Sequence, residues 1–139
     1  MGVESMRRYF FTLPIYYEIE FKTKKNKTVL VGANWFRNIH FHLKNKVKQH
    51  YHKLVAEQLE SFSEDKKIEQ FKTHYKLYYK TSSCDMTNIS SLIEKFVLDG
   101  FKESGLIIDD NVKYHLSSKF EVVEQDKKNP RIEIIVDEI

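Results

Sequence analysis

Four side chains in the second half of this chain have the types and spacing for metal-assisted chemistry: Asp85, Lys95, Asp109 and Asp110. Asp85 stands just ahead of a helical stretch, and the Asp109-Asp110 pair stands just past the glycine that stops it. A helix flanked in this way is expected to bring carboxylates that are distant in sequence towards one point. Clustered carboxylates are costly unless a cation neutralises them, so the pattern suggests a hard ion such as Mg²⁺. On a helix, Asn88, Lys95 and Asp99 fall within roughly 40° of one another and form a polar stripe beside an apolar face. Each feature also has a plain structural reading. Asp85 is a helix cap, Asp109-Asp110-Asn111 is a turn before a strand, and Lys95–Asp99 is a solvated i,i+4 pair in its weaker orientation.

The elements that must position these residues can be read from periodicity. Tyr9 to Phe21 is rich in aromatic and β-branched residues and reads as strand, with Pro14 marking a bend or an edge position. Lys22 to Lys27 is a polar turn, and Thr28 to Val31 is a strand returning from it. Asn34 is expected to cap one long helix running to about Ser61. Trp35, Ile39, Leu43, Val47, Tyr51, Val55 and Leu59 form its apolar stripe, widened by Leu54 and Phe62. From Ile68 to Thr81, Phe71, Thr73, Tyr75, Leu77 and Tyr79 alternate with Lys72, His74, Lys76, Tyr78 and Lys80, which predicts a strand with one apolar and one basic face. A second helix over about 87–104 buries Ile89, Leu92, Ile93, Phe96 and Val97 and stops at Gly105. Val112 to Val123 and Arg131 to Val136 read as two closing strands. The order predicts an α+β fold: a mixed, largely antiparallel sheet with two main helices packed on it, as a single domain over 1–139.

At 139 residues, with 41% hydrophobic and 31% charged side chains, the chain can bury a core without disulfides or structural metal. No apolar run is long enough to span a membrane, and the N-terminus does not read as a signal peptide. Cys84 is the only cysteine, which suits a reducing cytoplasm. The net charge of +3 hides an asymmetry: residues 1–56 carry 11 Lys/Arg against 3 Asp/Glu, and residues 57–139 carry 12 against 17. From Phe21 to Ala56 there are nine Lys/Arg, four His and no carboxylate. A positive half beside a negative half is what a metal-dependent enzyme acting on a polyanion requires, and a solvated basic face is the equally open alternative.

Asp85-x-x-Asn88, Lys95-x-x-x-Asp99 and Gly105-x-x-x-Asp109-Asp110-Asn111-x-Lys113-Tyr114 together resemble the core motif of the RusA family of Holliday-junction resolvases, which includes many phage and prophage endodeoxyribonucleases. Asn34-Trp-Phe-Arg37-Asn38 is similar to the Asn-rich segment that precedes the family's long helix. Lys44 to Gln58 and Asn129-Pro-Arg-Ile-Glu133 resemble a phage branch. The resemblance covers most of the chain and is strongest over 85–114.

The resemblance implies Mg²⁺-dependent cleavage of four-way or other branched DNA by a cytoplasmic homodimer, with one or two ions and Mn²⁺ as a substitute. Asp85 and Asp110 are then metal ligands and catalytic residues, helped by Asp109 and Asn88. The ions would activate a water, and Lys95 would meet the phosphate or that water. Asn34, Arg37, Lys44, Lys46, Lys48, Lys53, Lys72, Lys76 and Lys80 would hold DNA. The chain departs from the family pattern at Thr87, where an aspartate is usual, and in the longer spacing from Asn88 to Lys95. Thr87 offers only a neutral oxygen. The alternative is therefore a catalytically weakened or inactive protein of this kind that binds branched DNA without cutting. A third reading is a phage protein that binds a host protein. His40/His42 and His50/His52, at i,i+2 on a helix, would point about 160° apart and could not share a zinc ion.

Overall fold

The computed structural model describes residues 6–60 and 66–139. The elements run β1 (Arg8–Pro14), β2 (Tyr16–Ile19), β3 (Lys27–Leu30), α1 (Ala33–Arg37), α2 (Phe41–Leu59), β4 (Phe71–Tyr79), α3 (Met86–Glu103), β5 (His115–Gln125) and β6 (Arg131–Glu138). This is the expected α+β class. One four-stranded sheet has the order β1-β6-β4-β5, and β2 and β3 form a separate two-stranded ribbon. β6 pairs antiparallel with both β1 and β4, whereas β5 pairs parallel with β4.

Alternation along the strands sets which face is buried. Tyr9, Phe11 and Leu13 of β1, Phe71, Tyr75 and Leu77 of β4, and Ile132, Ile134 and Val136 of β6 point into one core. α2 adds Val47, Tyr51 and Val55 to it, and α3 adds all five residues its periodicity predicts. Phe11 packs on Phe101 with ring centroids 4.8 Å apart, and Tyr51 stacks on Phe96 at 5.2 Å. The buried Tyr51 hydroxyl donates to the Pro14 carbonyl at 2.6 Å, fixing the bend where the chain leaves the main sheet. Pro14 thus ends β1, and the chain continues as β2 in the ribbon.

The single helix expected from Asn34 to Ser61 is two helices, α1 and α2. Asn34 lies inside α1, whose N-cap is Gly32, and α2 has its own N-cap at His40. The cause is local competition for one carbonyl. Asn38 Nδ2 donates to the Asn34 carbonyl at 2.9 Å, while the Asn38 N–H turns to the Trp35 carbonyl at 3.1 Å. A side-chain amide has taken the place of the i→i−4 bond, and the chain turns there. The predicted end at Ser61 and the stripe residue Phe62 lie outside the described residues.

The closing strands do not pair with each other. β4 lies between them, and the connection after β5 crosses the end of β4. Arg131 secures this crossing: its guanidinium donates to Asp126 at 2.8 Å and lies 3.9 Å from the Tyr78 ring centroid. β4, α3 and β5 therefore form a crossover unit, with α3 running back along the sheet so that β5 starts beside the start of β4.

Candidate functional site

At the start of α3, Asp85 is the N-cap, and its Oδ1 accepts the N–H groups of Thr87 at 3.0 Å and Asn88 at 3.3 Å. Asn88 faces inward: its Oδ1 accepts the Asn34 N–H at 2.9 Å. The contact requires glycine at position 32, since a Cβ there would collide with the Asn88 amide. Asn34 and Asn88 therefore tie α1 to the first turn of α3. Cations flank this end. The Lys80 ammonium lies 5.5 Å from the Tyr16 ring centroid, and Lys44 lies 5.7 Å from that of Phe36, which itself packs edge-on against Phe96. Burial raises the Tyr16 hydroxyl above its ordinary range, and the neighbouring Cys84 adds to this. A cavity of about 200 Å³ opens beside Cys84, lined by Leu77, Tyr79, Thr81, Ser82 and Val122.

Asp109 and Asp110 sit at the other end. Asp109 Oδ1 accepts the Asp110 N–H at 2.8 Å, and its Oδ2 accepts the Asn111 amide at 3.0 Å. Lys102, in the last turn of α3, places its ammonium 3.6 Å from Asp109 and 3.4 Å from Asp110. The Asp110 N–H, more than any other group, holds the Asp109 carboxyl below its usual range, and Lys102 adds to this. Lys102 in turn is raised, first by its hydrogen bond to Asp110, with Asp109 and Asp99 contributing. Lys102 is the functional candidate that periodicity misses, although its i+3 spacing from Asp99 could have pointed to it.

The expected convergence of the carboxylates does not occur within one chain. At about 1.5 Å per residue, α3 holds Asp85 roughly 25 Å from Lys102 and its two aspartates. The helix acts as a spacer because the crossover makes β4 and β5 parallel, which puts the two ends of α3 at opposite ends of the strands. Lys95 projects from the middle of α3 and is exposed. Among the described residues, no group of three or more His, Cys, Asp or Glu side chains is placed to hold a metal ion. Taken singly, the chain does not fit a shared Mg²⁺ site.

The basic candidates divide between two faces. The carboxylate-free segment forms the ribbon tip, α1 and most of α2, with Asn34, Arg37, Lys46, Lys48 and Lys53 exposed and Lys44 half-buried. Lys53 also approaches Glu57 at 4.0 Å. Lys72 and Lys76 lie on the far face of the sheet, away from the helices. There the register sets Lys72 opposite Asp137, and Lys76 between Glu133 and Glu121. The face predicted to be basic is a ladder of alternating charge, because the neighbouring strands supply its carboxylates.

The histidine geometry also differs from expectation. His40 is the cap and not a helical residue, so its ring stacks on that of His42 at 4.9 Å, with Phe41 against both. His50 packs against Tyr17, and His52 turns to Glu103 at 2.7 Å. No helix among the described residues is long and apolar enough to cross a membrane. In comparisons with known proteins, no family model matches the chain and no curated protein matches it.

Proposed function

We propose that the protein is a Mg²⁺-dependent, structure-selective endodeoxyribonuclease that acts as a cytoplasmic homodimer on four-way or related branched DNA. The observation that carries this reading is the α3 unit itself: a rigid helix with Asp85 capping one end, Asp109 and Asp110 beyond the other, and the exposed Lys95 between them. α1, tied to the Asp85 end through Asn34 and Asn88, and the part of α2 that lies within the carboxylate-free stretch 21–56 supply cations for a phosphate backbone. Asp85, Asp109 and Asp110 are the groups that would hold the ion. Because one chain keeps them apart, the reading requires a second copy to bring an Asp85 end to an Asp109–Asp110 end.

A specific observation favours the alternative, binding without cutting. Asp85 is already engaged as a helix cap, and the neighbouring Thr87 adds no charge. A labelled four-way junction incubated with the protein in Mg²⁺ or Mn²⁺ separates the two. Cleavage that Asp110→Asn abolishes, with junction binding retained, is the result expected. Tight binding without cleavage in either metal selects the alternative.

A further inference from the structure

Three rings occupy consecutive positions where α2 begins: His40, Phe41 and His42. The helix start itself brings them together. His40 caps α2 from an extended backbone, and its Nδ1 accepts the His42 N–H at 3.2 Å, which folds its ring back towards residue 42. The two imidazoles stack with centroids 4.9 Å apart, and the Phe41 ring lies 4.7 Å from His40 and 4.0 Å from His42. All three residues are exposed, Phe41 at 59%. Phe41 belongs neither to the core nor to the half-buried shell packed against it. One exposed phenyl ring would need no explanation, but three rings held together on the surface form a platform.

The surroundings of the platform choose its partner. Phe41, Asn45 and Lys48 are spaced i, i+4, i+7 and are all exposed, so one row along α2 carries a ring, an amide and a cation. The exposed Arg37 precedes the platform. The stretch 21–56 that contains all of these holds nine Lys/Arg and no carboxylate. Cations beside flat rings match a polymer that carries a phosphate and a flat base in every unit. Acyl chains match less well, because two of the three rings are imidazoles with polar nitrogens and the row continues with an amide. A closed duplex offers phosphates but keeps its base faces stacked on one another.

We propose that the His40–Phe41–His42 platform binds single-stranded DNA, with an unpaired base stacked on Phe41 and Arg37 and Lys48 at the flanking phosphates. The inference deepens the nuclease reading, on which it rests for the polymer being DNA. That reading asks the cations of α1 and α2 for backbone contacts alone, which do not tell one strand from two. The rings add a preference for unpaired nucleotides.

The test is fluorescence anisotropy of the full chain with three labelled probes of equal length and no divalent metal. The probes are a thymidine strand, an abasic strand with the same phosphates, and a duplex. Wild type should bind the thymidine strand more tightly than the abasic one. Phe41→Leu should weaken thymidine-strand binding about tenfold and leave abasic-strand and duplex binding unchanged. Phe41→Trp should retain the preference, with unchanged circular dichroism in both variants. Equal affinity for the thymidine and abasic strands overturns the proposal, as does a Phe41→Leu variant that binds all three probes like wild type. Equal weakening towards all three also overturns it, because the ring is then structural. Phe41-dependent binding to vesicles of anionic and zwitterionic phospholipid, without a preference for bases, assigns the platform to a membrane surface and overturns it too. A protein that prefers the thymidine strand yet never cuts a junction in Mg²⁺ keeps the platform and loses the nuclease. One that cuts junctions and ignores unpaired bases keeps the nuclease and loses the platform.

Discussion

The Asp85 carboxylate accepts two backbone N–H groups at the start of α3, so removing it costs stability whatever its chemical role. Asp85→Ala is expected to lower unfolding free energy by about 1 kcal/mol, and Asp85→Asn by much less, because asparagine caps about as well. Urea denaturation of the two variants measures this. If Asp85 also serves a metal, Asp85→Asn should abolish cleavage while leaving stability nearly intact, which separates cap from ligand. A second effect at this scale concerns acid. Glu138 accepts hydrogen bonds from the Arg7 guanidinium at 2.8 and 3.2 Å, and these hold its pKa below the ordinary value. A depressed carboxyl contributes stability that is present above its unfolded pKa and lost as pH falls through the folded one. The urea midpoints of wild type and Glu138→Gln should therefore differ at pH 7 and converge as the pH drops below the ordinary glutamate range.

Glycines mark the two ends of the α3 arrangement, each for a different reason. Gly105 ends the helix with φ of +83° and open space around its Cα. Gly105→Ala is strained by backbone conformation alone, and a loss of about 1 kcal/mol in chemical denaturation is expected. Gly32 has an extended backbone, and its constraint is contact with Asn88. Gly32→Ala should push α1 away from α3 and break the Asn34–Asn88 bond. Trp35, the only tryptophan and part of α1, reports this directly. Its emission should shift to the red in Gly32→Ala and stay unchanged in Gly105→Ala. An unshifted spectrum in the first variant would mean that α1 does not depend on this contact.

For the whole molecule, the distribution of charge makes the sharpest distinction. Lys44, Lys46 and Lys48 of α2 stand in the stretch 21–56, whose sequence holds no carboxylate, whereas Lys72 and Lys76 face Asp137, Glu133 and Glu121 across the sheet. If the protein binds DNA, Lys46→Ala and Lys48→Ala should each weaken junction binding and reduce the slope of log K against log salt by about 1. Lys72→Ala and Lys76→Ala should leave that slope unchanged. Equal effects from both pairs would place DNA on both faces and refute this division.

The class of fold, the buried face of α3 and its glycine stop were legible in the sequence, because periods of 3.6 and 2 are local consequences of burying one side of an element. The apolar and polar faces of β4 were legible for the same reason. What local pattern could not supply was the company each element keeps. The break at Asn38 depends on a side-chain amide winning one carbonyl, and the ladder beside Lys72 and Lys76 depends on strands from the far end of the chain. The spacing of the acidic groups depends on β5 lying parallel to β4. A sequence reports which side chains are present and which face each one takes. Tertiary structure decides which ends of a helix can meet, and here it set Asp85 and Asp109–Asp110 apart by the length of α3.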